Sequence, residues 1–156
     1  MKITPGAQIN YDILKPGIYI NRIDDDITTY DIVMKASNTG DYLTNSALHT
    51  IEHIFKDYVK DTEFGDSIIY FGPTGSRTGF RLLTRRLTDN YSIQLIRDAF
   101  EHISEFWGRI PRASHTECAN CLEHNLPQAK EEAKEFLEVI KAWTKEDLKY
   151  PAAETE

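Results

Sequence analysis

The spacing of apolar residues along the chain alternates between two residues and 3.6 residues, and this alternation constrains the fold more than any other feature. A period of two between turn signals predicts four strands, at residues 17–22, 28–35, 67–71 and 80–84. A period of 3.6 predicts three helices, at residues 44–58, 92–107 and 128–149, the first capped by Asn45 or Ser46. The segment 112–125, before the third helix, is irregular. This order predicts an α+β fold, in which an antiparallel sheet carries the helices on one face.

Length and charge indicate one domain of an acidic protein. The chain has 156 residues, which predicts a single domain over 1–150 and a flexible tail over 151–156. The net charge of −7 argues against a nucleic-acid partner, because binding to phosphates needs clustered Lys and Arg. No apolar run is long enough to cross a membrane, and no hydrophobic stretch of a signal peptide follows the N-terminus. We therefore expect a cytoplasmic protein without a membrane partner.

Two histidines on the first predicted helix form the clearest functional motif. His49 and His53 are four residues apart, so both rings lie on one face of a helix and can reach a single metal ion. Glu52 precedes the second histidine and can handle protons beside the metal without binding it. The order H-x-x-E-H is the inverse of the usual zincin motif. From this motif alone, a metal site and two unrelated surface histidines remain equally open.

The irregular segment before the last helix offers a third ligand. Cys118 suits this role, because two imidazoles and a thiolate bind Zn(II), Fe(II) or Co(II) and leave a coordination position open for catalysis. In a second interpretation Cys121 is a fourth ligand, and the site is closed and structural. In a third, neither cysteine binds a metal and both thiols are buried and unreactive. The remaining histidines lack ligand spacing and are predicted to lie on the surface. They are His102, His115 and His124.

Several motifs, in the same order and spacing, resemble the S-ribosylhomocysteine lyase family, LuxS. The resemblance extends from about Ile9 to Lys141. The matching stretches are His-Thr-Ile-Glu-His at 49–53, Tyr-Phe-Gly-Pro at 70–73, Gly-Ser-Arg-Thr-Gly-Phe at 75–80 and Glu-Cys-Ala-Asn at 117–120. Shorter matches lie at 15–19, 29–32 and 125–130.

The resemblance implies a fold, a cofactor and a reaction. It implies an α+β fold related to inverse-zincin peptidases, and a homodimer with active sites at the subunit junction. One Fe(II) or Zn(II) ion per subunit would be held by His49, His53 and Cys118. The family cleaves S-ribosylhomocysteine, a ribosyl thioether, to homocysteine and the precursor of the quorum-sensing signal autoinducer-2. A metal polarises the sugar carbonyl while a carboxylate and a thiol move protons, and Glu52 is at the carboxylate position.

The chain departs from the family pattern at presumed pocket positions. Ser76 replaces the catalytic cysteine, and a hydroxyl is a far weaker acid than a thiol. Val33 replaces an arginine, Tyr11 a histidine and Arg81 a tyrosine, while Gly6-Ala7 replaces a Ser-Phe pair. Arg81 alternates away from its core neighbours on the strand, so we do not expect it to compensate for the arginine lost at position 33.

These departures favour natural divergence of Ser76 over an engineered change. Ser76 remains the candidate proton carrier, and Arg77, Tyr11 and Val33 are the candidate substrate-binding positions. The favoured function is a divergent carbon–sulfur lyase acting on S-ribosylhomocysteine or a related thioether, with altered or reduced activity. The alternatives are a non-catalytic metal-binding relative and, with less support, an HxxEH metallopeptidase.

Overall fold

The structure is a computed structural model that describes residues 9–151, and within them four strands form one antiparallel sheet. The spatial order is β1-β2-β4-β3, and every neighbouring pair runs antiparallel. The strands are β1 (Gly17–Asp24), β2 (Ile27–Val33), β3 (Ile68–Pro73) and β4 (Gly79–Arg85). Gly6-Ala7 and the last five residues of the predicted tail lie outside the described residues.

Three helices pack on one face of this sheet, which confirms the predicted α+β class. They are α1 (Asn45–Lys60), α2 (Asp89–Ser104) and α3 (Leu126–Ile140). The apolar side chains that alternate inward from the strands meet the apolar stripes of the helices in one core. The largest fully buried members are Tyr30, Phe55, Phe71, Phe80, Phe100 and Phe136.

A smaller apolar cluster lies apart from this core. Its buried members are Leu14, Tyr19 and Val33, and the partly buried Trp143 and Tyr150 pack against it. Tyr150 follows the last helical turn within residues 9–151, so this part of the chain returns to the two strands β1 and β2.

The third helix ends nine residues earlier than its sequence period predicts. α3 stops at Ile140, and a 3₁₀ helix over Lys145–Leu148 follows it. Trp143 leaves the helical path because its indole Nε1 donates a 2.9 Å hydrogen bond to the carbonyl of Ile18 on β1. This tertiary contact overrides the local helical pattern.

Two helix ends also differ from their predicted positions. Thr44 caps α1 in place of Asn45 or Ser46, since its hydroxyl accepts a hydrogen bond from the backbone nitrogen of Ala47. α2 ends at Ser104, and Trp107, expected inside the helix, lies beyond it with 90% of its surface exposed. None of the helices in residues 9–151 combines the length and apolarity that a bilayer crossing demands.

Candidate metal centre

Helix α1 presents its histidines beside the segment between α2 and α3. Ala47, Leu48 and Ile51 bury one side of the helix in the core, and His49 and His53 are half-buried on a neighbouring side. The facing segment over 111–125 contains turns and bends and neither a helix nor a strand, as predicted. Such a segment can follow the shape of a site because no regular hydrogen-bond ladder dictates its path.

The ligand atoms of the three candidate metal ligands lie close together. Nε2 of His49 is 3.0 Å from Nε2 of His53, and Sγ of Cys118 is 3.3 Å and 3.5 Å from these two nitrogens. A tetrahedral ion with zinc-like bond lengths separates its ligands by roughly 3.3 Å between nitrogens and 3.6 Å between nitrogen and sulfur. The three side chains therefore fit one metal ion, and the cluster suggests a bound metal.

Backbone carbonyls fix the orientation of both histidine rings. Nδ1 of His49 donates to the carbonyl of Glu123 at 2.8 Å, and Nδ1 of His53 donates to the carbonyl of Pro111 at 2.8 Å. Each ring thus holds its proton on the outer nitrogen and directs the lone pair of Nε2 inward. This support of the outer nitrogen is typical of metal-binding histidines.

His124 joins this group, although the sequence predicts a surface position for it. Its ring stacks on His49, with 4.0 Å between ring centroids, and one of its nitrogens lies within 4.8 Å of the other three ligand atoms. Burial first, and then the neighbouring rings of His49 and His53, lower the pKa of His124 to about 4. The sequence carries no signal for this contact, because the five residues between Cys118 and His124 form irregular backbone and follow no period.

Cys121 does not reach the group. Its Sγ lies 3.3 Å from Nδ1 of the exposed His115, while Cys118 turns toward the histidines of α1. The short spacing between the two cysteines therefore does not direct both sulfurs to one site. His115 and His102 are exposed, as predicted.

Glu52 lies in a cavity beside the cluster. The cavity has a volume of about 420 Å³, and Glu52, His53, Arg112 and Glu117 contribute to its wall. Lys56, one helical turn further along α1, donates a 2.5 Å hydrogen bond to Oε2 of Glu52. The carboxylate is thus held next to a candidate metal ligand, where it can exchange protons with a bound molecule.

The candidate substrate-binding residues line different cavities. Tyr11, Val33 and Ser76 contribute to a cavity of about 150 Å³, and Tyr11, Ser76 and Arg77 to a more open one of about 540 Å³. None of the residues that line these two cavities also lines the Glu52 cavity. Within the described part of one chain, Ser76 and Glu52 therefore face different spaces.

Arg81 also lines the smaller of these cavities, which corrects the expectation that it points away from the site. It alternates away from the core, as predicted, but the cavity lies on that outer face. In the register of β2 and β4, Arg81 is opposite Asp31 and Gly79 is opposite Val33, so Arg81 is the diagonal neighbour of Val33. Its Nε donates to Oδ1 of Asp31 at 3.0 Å.

The carboxylate of Asp31 is almost fully buried and has three donors. Besides Arg81, the side-chain amide of Asn21 donates to it at 2.8 Å and the hydroxyl of Tyr150 donates to the same oxygen. Burial, and then the bond to Asp31, raise the pKa of the Tyr150 hydroxyl, which stays protonated as a donor. This network holds Arg81 and Tyr150 at the wall of the cavity.

Ser76 is exposed and is surrounded by other hydroxyl groups. Its Oγ lies 2.9 Å from Oγ1 of Thr78 and 3.4 Å from Oγ1 of Thr74. Among residues 9–151, no histidine or carboxylate forms a hydrogen bond to it. The hydroxyl therefore lacks an activating base within its own chain.

The protein is an α+β protein with a candidate metal centre. Helices cover one face of its antiparallel sheet, and the centre combines two histidines of a helix with a cysteine of a loop. The family profile described as S-Ribosylhomocysteinase (LuxS) matches residues 8–147. The chain belongs to this family.

Similar proteins match the chain over nearly its whole length. The S-ribosylhomocysteine lyase of Borreliella afzelii (strain PKo) is 41% identical over 160 residues, which cover 97% of this chain and 100% of the relative. The S-ribosylhomocysteine lyase of Phocaeicola vulgatus is 38% identical, and the match covers 99% of this chain and 100% of the relative. The S-ribosylhomocysteine lyase of Clostridium acetobutylicum is 34% identical, and the match covers 92% of this chain and 94% of the relative. The family and these relatives support the general function expected from the sequence.

Proposed function

We propose that the chain is a divergent, metal-dependent lyase that cleaves the carbon–sulfur bond of S-ribosylhomocysteine or a related thioether, with reduced activity. The observation that carries this proposal is the cluster of His49, His53 and Cys118, whose inward lone pairs and thiol fit one Fe(II) or Zn(II) ion per subunit. When bound, the ion would act as a Lewis acid on the sugar carbonyl.

Glu52 and Ser76 would carry out the proton transfers. Glu52 would remove and return protons on the sugar carbons next to the carbonyl, because it borders the cavity that contains His53. Ser76 occupies the second proton-handling position. Without an activating base, its hydroxyl is a poor proton carrier, and this favours slow turnover.

Arg81 would hold the amino-acid end of the substrate. Val33 offers no charge, but the diagonal neighbour Arg81 brings a guanidinium to the same cavity from the adjacent strand. Its Nε binds Asp31, and its two amino groups form no hydrogen bond to the described residues. These groups can bind a carboxylate side by side. Tyr11 and Arg77 would add contacts at the entrance.

A homodimer would unite the separate cavities. Glu52 lines one cavity of the chain and Ser76 lines others, whereas the proposed reaction needs both groups at one substrate. Large aromatic side chains are exposed around Ser76, including Tyr11 and Tyr42, with 54% and 39% of their surface accessible. In the proposed dimer a second copy covers these side chains and brings its Glu52 to the Ser76 of the first chain.

A non-catalytic metal-binding role is the second candidate. The surroundings of Ser76 favour it, because its hydroxyl has no activating base among the described residues.

Thiol release distinguishes the two candidate functions. Anaerobic, Fe(II)-loaded protein should release free thiol from S-ribosylhomocysteine at least tenfold more slowly than the Borreliella afzelii relative assayed in parallel. His53→Ala should lose both metal and turnover. Metal binding without any thiol release would support the non-catalytic role, and a rate equal to that of the relative would contradict reduced activity.

A further inference from the structure

His124 has an unexplained nitrogen at the candidate metal centre. Its Nε2 is buried and, in the described part of the chain, has no hydrogen-bond partner. A buried polar atom without a partner costs about 1–3 kcal/mol, so native structures normally supply one.

The hydroxyl of Thr50 determines which nitrogen of His124 carries the proton. Oγ1 of Thr50 donates to the carbonyl of Ser46 at 3.0 Å and accepts from the backbone nitrogen of Asn125 at 2.9 Å. Its third contact is Nδ1 of His124 at 3.0 Å. A hydroxyl has one proton and two lone pairs, so Nδ1 of His124 must donate here and Nε2 keeps its lone pair.

The stacking of His124 on His49 decides what this lone pair can do. The two rings are 17° from parallel with centroids 4.0 Å apart, so their planes lie one above the other. An imidazole binds a metal in the plane of its ring, and one ion cannot lie in both planes. His124 is therefore not a ligand alongside His49. Its lone pair needs a hydrogen-bond donor instead.

We propose that His124 accepts a hydrogen bond from the water or substrate hydroxyl that occupies the open coordination position of the metal ion. The His49, His53 and Cys118 set leaves that position free for a donor group. Thr50 locks the acceptor tautomer, and His124 thereby selects ligands that carry a proton on the coordinating atom. The inference depends on the metal binding of the proposed function and is independent of turnover.

Azide binding to the Co(II)-loaded protein tests this assignment, because azide displaces the water but donates no hydrogen bond. Visible spectra would report both the Co(II) environment and the azide affinity. His124→Phe keeps an aromatic ring but removes the acceptor. It should bind one Co(II) per chain and bind azide roughly 3–10-fold more tightly than the wild type, since the displaced water has lost its hydrogen bond. His124→Gln, whose amide oxygen accepts, should resemble the wild type.

Two further variants keep the test decisive. His102→Phe changes an exposed histidine stacked on Tyr58, outside the cluster, and should leave the azide affinity unchanged. Thr50→Val retains the His124 side chain but removes the hydroxyl that fixes its tautomer. This variant should also bind azide more tightly than the wild type, by a smaller factor than His124→Phe.

Unchanged azide affinity in both His124→Phe and Thr50→Val would overturn the assignment. Loss of Co(II) from His124→Phe would show that His124 is a metal ligand. A wild type that binds no Co(II) would overturn the metal centre as well, whereas absent lyase activity alone would leave this inference intact.

Discussion

Ser76 is the residue that most limits the chemistry of the proposed site. Among the described residues its hydroxyl forms hydrogen bonds only with the hydroxyls of Thr74 and Thr78, and neither of these is a base at neutral pH. A thiol at this position would lose its proton far more readily, since its reference pKa is about 8.5.

Ser76→Cys should therefore increase lyase activity. Restoring a competent proton carrier is expected to raise kcat/KM for S-ribosylhomocysteine by roughly 10²-fold or more. Thiol release by the Fe(II)-loaded variant measures this. Ser37→Cys places a thiol elsewhere in the same cavity and should have no effect. Equal activity of Ser76→Cys and the wild type would contradict the assigned role of position 76.

Arg81→Gln should weaken substrate binding more than catalysis. Loss of a charge-assisted hydrogen bond to a substrate carboxylate predicts a rise in KM of at least tenfold with little change in kcat. The measurement is best made in the Ser76→Cys background. Arg85→Gln is the matched control, because Arg85 is exposed on the same strand, four residues further on. Similar kinetics for both variants would remove Arg81 from the site.

Glu52→Gln should abolish turnover without releasing the metal. The amide cannot accept a proton, so kcat in the Ser76→Cys background should fall by about 10²–10⁴-fold, while elemental analysis still finds one ion per chain. Glu117→Gln changes an exposed carboxylate of the same cavity and should retain activity. A Glu52→Gln protein without metal would instead make Glu52 a ligand.

The connection between strand β1 and the chain after α3 depends on one close approach. A Cβ atom added at Gly17 would lie 2.2 Å from the indole of Trp143, which donates to the carbonyl of Ile18. The missing side chain of Gly17 thus allows Trp143 to leave the helical path and cover the edge strand.

Gly17→Ala should destabilise the fold. Displacing the indole is expected to lower the free energy of unfolding by about 1–3 kcal/mol, as for other overpacked sites. Urea denaturation followed by tryptophan fluorescence measures the change. Gly75→Ala is the control, since among residues 9–151 no atom beyond its chain neighbours lies within 4 Å of the added Cβ. Equal stability of the two variants would show that Trp143 moves without cost.

The whole molecule is expected to be a homodimer with two composite sites. Heterodimers of the wild type and the double variant Ser76→Cys/Glu52→Gln test this. One of their two sites would combine Cys at position 76 of one chain with Glu52 of the other. Differently tagged chains, coexpressed and purified in tandem, should show about half the activity of the Ser76→Cys dimer.

Both parent proteins should be far less active than these heterodimers. If each site lay within one chain, neither site of the heterodimer would contain both groups, and no activity would return. Light scattering that gives the 18.0 kDa mass of a single chain would exclude the dimer directly.

The elements of the fold were largely predictable, because their signals are local. Alternation of apolar residues placed the four strands to within a few residues, and the helical period placed α1 and α2. The end of α3 was predicted wrongly, since Trp143 continues the helical period but binds β1 instead. A contact between residues 125 positions apart has no local signature.

Local periodicity also explains which parts of the candidate site the sequence determined. His49 and His53 share a face in any helix, so their proximity needed no tertiary information. The positions of His124 and Arg81, in contrast, depend on the tertiary structure. His124 reaches the cluster only because irregular backbone folds back onto Thr50, and Arg81 meets the cavity because the register of β2 and β4 places it diagonally to Val33. Such contacts between distant segments depend on how the sheet, helices and loops pack. Strand alternation predicts that Arg81 lies on the outer face of the sheet, but it does not predict that this face contains the cavity.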